Sequence, residues 1–546
     1  NAANALQGKP ITSTGYETLT INTNSSALKG AQSTGAIIVT PDLGGSARLN
    51  ITGSNQLTVG VVTATTGTIN ASGMTPASAA SLGLTMVAGA NTATTITGSG
   101  GIDTLFGDNG TGRNTSITGG AGNDTITSYG GNDTILGGDG ADQIVGGAGN
   151  DSIDGGAGSD AVAMTSAQLT ANDTVSGGEG TDTFAYSTYV AAGNAVAAQS
   201  RISAFEILEM GDTDAASVDV TLTNYINNTG FTEIHLGTQG VNTEGFEFIN
   251  ASSSLNTVSA IAAVAGTHIF DRLIDTSADS LTVRNASTGA GAASTFTAFT
   301  ALDEETITLT ATVGTTAGSN DLTITTLTVA DLTTLNINSA SDVIITNAIA
   351  GSAALRTVNA TASTGAVTVN VANAGAGVTM TGNANGTAVT TFTGSTFADT
   401  ITGGGGADVL RGGGGADSIS GGAGADTLDG EGGADTIVGG DGVDIVVFDV
   451  GDSVETTAVL AIATGNAAGD TTLVSASSFR FANGVDIVTG FATQDTIDSN
   501  FVGAAALPGL VVDSTTTFDA LTVNDSVLVY GTWNAATSTF AAAAGF

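Results

Sequence analysis

The chain has 546 residues, of which 50 are acidic and only 10 basic, giving a formal charge of -40. This excess of anionic charge argues against nucleic acid or an anionic bilayer as a direct partner, and it leaves a cation as the missing element of the composition. A hydrophobic content of 41% excludes an intrinsically disordered chain, the lack of cysteine removes disulfides and thiolate metal sites, and 79 glycines against 4 prolines point to tight turns and away from collagen.

Residues 1–95 form a Thr-rich ladder with alternating runs such as ETLTINTN, ARLNITG and TGTINASG. Period-two alternation in β-branched residues, interrupted by Gly or Asn, predicts many short strands in a solenoid or a sandwich. Residues 96–185 carry an array of nine-residue units. Asp103 lies in GSGGIDTLF, Thr115 takes the acid position after a three-residue insertion, and Asp124, Asp133, Asp142, Asp151 and Asp160 follow at intervals of nine. An aliphatic residue stands two positions after each of these five acids: Ile126, Ile135, Ile144, Ile153 and Val162. After an excursion over Met164–Ser176, which is expected to be helical, GGEGTDTFA supplies Asp182 and Phe184 as a terminal unit.

Residues 186–330 are mixed and mostly β, with DVTLTNYI, FTEIHLG, SLTVRN and ETITLTATV as strands and Ala191–Met210 as one or two helices. A second Thr-rich ladder, 331–393, runs directly into a second array at 394–447. Its six units repeat without a slip and carry Asp399, Asp408, Asp417, Asp426, Asp435 and Asp444, each followed two positions later by Ile, Leu or Val. Residues 448–546 repeat GVDIV at 484–488 and are expected to form a closing cap, with an alanine-rich end that fits either a cap strand or an export signal. No apolar run approaches the roughly 20 residues that a membrane-spanning helix needs. The expected fold is therefore all-β, built of parallel β-solenoid modules with further short-strand regions and minor helix.

Nine residues with one buried aliphatic position make a turn and a short strand, so two units close a coil of 18 and acids 18 apart stack. Stacked strands lie about 4.8 Å apart, and half that spacing matches the roughly 2.3 to 2.6 Å of a calcium–oxygen bond. Carbonyls of the glycine turns would complete the coordination. Two carboxylates at this separation repel by about 1 kcal/mol in water and by about 3 to 4 at an effective dielectric of 20, so the stack needs cations. Asp399–Asp417–Asp435, Asp408–Asp426–Asp444, Asp124–Asp142–Asp160 and Asp133–Asp151 give about seven ions plus edge sites, and folding and binding become one equilibrium.

The motif GGxGxDxhx, with h aliphatic, resembles the RTX nonapeptide repeat, and GVDIVTGFATQDTID resembles the segment that follows such repeats. The resemblance implies calcium-loaded parallel β-rolls, export through type I secretion, and folding in extracellular calcium. The Thr/Ala/Gly-rich ladders with almost no Lys are similar to RTX-type surface-layer proteins. That implies a non-enzymatic subunit that associates with itself in a cell-surface lattice and contacts surface polysaccharide through calcium or through a region outside this chain. An RTX adhesin or biofilm matrix protein is the alternative.

Other candidates are weaker. No GxxxxGK, HExxH or GxSxG occurs in the sequence. His235 and His268 are isolated and are expected to decorate strands, whereas Asp303, Glu304 and Glu305, like Glu206 and Glu209, read as solvated acid pairs.

Overall fold

The computed structural model describes residues 94–448 except 109–111, 166, 190–198, 200, 214–217, 238–244, 262–265, 288–292, 313–320, 385–386 and 443. Before these it describes 11–14, 18–22, 39–54, 57–75 and 82–88, and after them only short strands between 459 and 542. The chain divides into two compact units, 1–242 with 248–256, and 243–247 with 257–546.

Both units are stacks of parallel coils. In the first, one sheet takes Thr94–Thr97, Thr115–Ala121, Thr134–Asp139, Ser152–Gly158 and Thr174–Gly180, each pairing in parallel with the next. The other takes Ile102–Phe106, Thr125–Thr127, Gln143–Val145, Ala161–Thr165 and Thr183–Tyr189. The register superposes the repeats' aliphatic positions, Ile117 on Ile135 on Ile153 on Val175, and Leu105 on Ile126 on Ile144 on Val162 on Phe184. All nine side chains are at most 2% exposed, and burying each contributes roughly 1.5 to 3 kcal/mol.

The second unit repeats this plan. Leu335, Val358, Met380, Ile401, Ile419 and Ile437 form one column, and Val369, Phe392, Leu410 and Leu428 form the other. The step from Thr-rich ladder to Asp/Gly array is a step within one column: Ile96 pairs with Ile117, and Met380 pairs with Ile401. Ladder and array are therefore coils of the same kind that differ in their turns.

Two helical expectations are corrected. Met164–Ser176 is the end of one strand, a turn, and the start of Thr174–Gly180; its extra residues bulge outward while Leu169 stays buried. The later part of Ala191–Met210 is extended as Ile202–Ser203 and Ile207–Thr213, and 191–198 lie outside the described residues. Alanine propensity yields to the pairing of Ile207 with Thr183 and Leu208 with Phe184. Among the described residues helix is limited to Gln199 and the 3-10 turn Leu222–Asn224. Beyond Phe448, Ile487–Thr489 pairs with Thr436–Val438 and Thr496–Ser499 with Ile445–Phe448, so the second GVDIV leads into one more coil. The expected export signal at the alanine-rich end falls largely outside the described residues.

Candidate metal centres

The 18-residue register brings the predicted acids into four columns. Asp103, Asp124, Asp142, Asp160 and Asp182 form one and Asp133 and Asp151 a second; Asp399, Asp417 and Asp435, and Asp408, Asp426 and Asp444, form two more in the second unit. All thirteen are at most 2% exposed.

One side-chain contact recurs along each column. The backbone N–H of one aspartate donates to Oδ1 of the aspartate in the following coil, as from Asp124 to Asp142 at 2.7 Å, Asp142 to Asp160 at 2.8 Å, Asp417 to Asp435 at 2.8 Å and Asp426 to Asp444 at 3.0 Å. Stacked carboxylates therefore do not face each other as equal halves of an ion cage, as the strand spacing alone suggests. In Asp124, Asp142, Asp151, Asp160, Asp182, Asp417 and Asp426 one oxygen is spent on the backbone, and the other remains for a ligand. Oδ2 of Asp124, Asp142, Asp151, Asp160, Asp182, Asp417 and Asp426 is buried and has no hydrogen-bond partner.

The glycine that opens each unit explains where those oxygens point. A Cβ on Gly137 would collide with Oδ2 of Asp142 and with the carbonyl oxygen of Gly155; on Gly412 it would collide with Oδ2 of Asp417 and meet the carbonyl of Gly430 at 2.7 Å. Glycine leaves a gap in which a carboxylate oxygen and a carbonyl oxygen from the next coil converge. The turn itself uses left-handed backbone, with Gly138 at φ 123° and Gly140 at φ 133°, which a side chain would strain.

Without a cation this arrangement is unfavourable for an ionised carboxylate. Burial pushes Asp124 up to about 8, aided by the like charges of Asp103 and Asp142, and pushes Asp142, Asp151 and Asp417 up to about 7. Asp160, Asp408 and Asp426 rise to about 6 for the same leading reason, and Asp133, Asp182 and Asp399 rise as well. Among the described residues no group of three or more His, Cys, Asp or Glu side chains gathers around a point, so backbone carbonyls must supply the remaining donors. Anionic and carbonyl oxygens with no nitrogen or sulfur form a donor set for a hard divalent cation, and calcium fits it. Bound calcium supplies positive charge that offsets the desolvation of the columns.

The structure adds residues that the repeat pattern does not reveal. Asp173 is fully buried, and its Oδ1 accepts the N–H of Asp151 at 2.6 Å. It belongs to the column, displaced by the insertion that makes the step 22 residues. Glu206 continues the other column, its Oε2 accepting the N–H of Asp182 at 2.8 Å. Asp108 is buried beside Asp133 and adds like charge to it. Only Asp173 left a sequence signal, with Val175 two positions on and GGEG following.

The remaining candidates stand outside these four columns, although Oε2 of Glu305 accepts the N–H of Asp279 at 2.8 Å in the same manner. His235 pairs with Glu233 at 2.8 Å, and His268 is buried between Phe246 and Phe296. Glu304 is not solvated: it is fully buried and held by Arg272, Nε to Oε1 at 2.6 Å and Nη2 to Oε2 at 3.2 Å.

The family model of the RTX calcium-binding nonapeptide repeat (4 copies) matches residues 89–111, 109–144, 136–163, 170–186, 387–419, 411–446 and 420–454. These matches include Asp173 as well as all thirteen predicted acids. No curated protein matches the sequence. Matched repeats, parallel coils and buried oxygens at the glycine turns show two arrays of RTX-type calcium-binding nonapeptide repeats in this chain, which take up several calcium ions.

Proposed function

We propose that the chain is a secreted, non-catalytic structural protein that winds up when it meets extracellular calcium and then associates with copies of itself in a cell-surface lattice. The observation that carries this reading is the set of buried, unpartnered Oδ2 atoms in register along the columns. Such a stack is poorly stable where calcium is scarce and closes where it is plentiful. RTX repeat proteins are typically secreted, and type I export of an unwound chain fits that chemistry. Among the described residues no helix is long and apolar enough to cross a membrane. The Thr-rich strands that precede each array are suited to repeated contacts between copies and to surface polysaccharide. A lattice requires contacts that do not close at a dimer.

Electron microscopy of the purified chain in millimolar calcium tests the lattice, with ordered two-dimensional arrays expected. Monomers that persist at high concentration while binding calcium, and that instead bind a polysaccharide, would overturn the lattice in favour of an adhesin.

A further inference from the structure

Hydroxyls depart from the repeat near the start of both arrays: Ser128 and Thr390 stand in the oxygen-lined gap, whereas Ser99 and Ser395 bond the first acid while Gly98 and Gly394 keep that gap. Ser128 occupies the place of the first glycine in SYGGNDTIL. Its Oγ donates to the carbonyl of Gly146, beside Asp133, whose Oδ2 has no hydrogen-bond partner. These are the counterparts of Asp142 and the Gly155 carbonyl at Gly137, so the Cβ and Oγ of Ser128 fill the gap that the glycine elsewhere keeps open.

In the second array Thr390 stands in the acid register, its N–H donating to Oδ1 of Asp408 at 2.6 Å. Its Oγ1 donates to the Gly403 carbonyl at 3.3 Å, while Oδ2 of Asp408 has no hydrogen-bond partner. A Cβ on Gly382 would meet Thr390 Oγ1 at 2.6 Å, where other coils present a carboxylate Oδ2.

The first acid of each array is closed by a serine at the second position of its unit. Ser395 donates its N–H to Asp399 Oδ2 at 2.6 Å and its hydroxyl to the same atom at 3.0 Å. Ser99 donates its N–H to Asp103 Oδ2 at 2.5 Å and its hydroxyl to Oδ1 at 2.7 Å. Neither Oδ2 is left as a buried atom without a donor.

We infer that Ser99, Ser128, Thr390 and Ser395 are hydroxyl plugs that take the place of calcium at the N-terminal edge of the columns, so that ion binding begins later than the sequence repeat does. A hydroxyl is neutral and carries one proton, so it satisfies a carbonyl or a carboxylate oxygen without requiring a second charge. The last coils of the Thr-rich ladders can then close in the absence of calcium and present a finished edge on which the ion-dependent coils wind. Asp103 and Asp399 become structural acceptors within the columns and drop out of the set of ion ligands.

Calcium per chain, measured by elemental analysis of the full-length protein after saturation and gel filtration, tests the inference. Ser128→Gly reopens the gap and is expected to raise the count by one; an unchanged or lower count would overturn the plug. Ser128→Ala keeps the Cβ in place and is expected to leave the count unchanged. Loss of one ion in that variant would show that the hydroxyl is a ligand and would equally overturn the proposal, even if Ser128→Gly does not fold.

Discussion

The backbone N–H of Asp124 donates to Oδ1 of Asp142 at 2.7 Å, while Oδ2 of Asp142 is buried with no hydrogen-bond partner. One carboxylate thus has two duties, and they can be separated. Asp142→Asn keeps an Oδ1 that can accept the N–H of Asp124 but replaces Oδ2 with an amide donor facing the Gly155 carbonyl. The variant is expected to lose an ion and to be less stable than the parent in calcium. In chelator it should be more stable, by about 1 to 3 kcal/mol, because a buried unsatisfied anionic oxygen has been removed. Thermal melts in both conditions check this, and the same rank order in both would refute it.

Acid should substitute partly for calcium. Burial raises Asp124, Asp142, Asp160, Asp417 and Asp426 to about 6 to 8, above the ordinary 3.8, so protons favour the folded state. Their contribution is complete below about pH 4 and disappears as pH rises through 6 to 8. Chelated protein should therefore keep more β signal in circular dichroism at pH 5 than at pH 8. With calcium present the preference should reverse, since binding requires ionised ligands. A chelated protein that is better folded at pH 8 would contradict this account.

The two arrays should respond to calcium at different concentrations. In the first, asparagines preceding the acids form an exposed ladder of their own: Asn114 Oδ1 accepts the N–H of Asn132 at 2.8 Å, Asn132 that of Asn150 at 2.9 Å, and Asn123 that of Ala141 at 3.0 Å. The second array has Ala407, Ala416, Ala425 and Ala434 at that position, which have no such acceptor. Each bond contributes about 0.5 to 1.5 kcal/mol without a metal. Hydrogen exchange during a calcium titration should show protection at 119–163 before 403–441.

Glu304→Ala should destabilise the second unit by about 3 to 5 kcal/mol, because Arg272 would be left buried without its carboxylate. Coils at 267–311 carry no column acid, so urea unfolding should report this loss in saturating calcium as well. Asp417→Ala, in contrast, should lower the apparent calcium affinity together with stability.

The sequence made the columns legible because two periodicities coincide, an acid and an aliphatic residue that each recur every nine positions. Where the period slipped, legibility failed: Asp173 lay inside an excursion whose composition favours helix, and a four-residue bulge hid its register with Asp151. Strand spacing suggested an ion shared between two carboxylates, but the spacing cannot show that a backbone amide has already claimed Oδ1. Glu304 looked like one of three adjacent surface acids. Its burial depends on Arg272, 32 residues away on a neighbouring coil, which no local pattern encodes. The hydroxyls of Ser128 and Thr390 raised no expectation in the sequence, because their acceptors lie 18 and 13 residues further along the chain.

The amides of the columns all reach the same way. Asp103 donates to Asp124, Asp124 to Asp142 and Asp142 to Asp160, and in the other unit Asp399 donates to Asp417 and Asp417 to Asp435. Each coil receives its bond from the coil before and gives one to the coil after, so an unfinished stack always ends in a waiting donor on its C-terminal side. The array is threaded like a screw: it can be lengthened by the next stretch of the same chain, whereas a segment laid on in reverse would offer no oxygen in the right place.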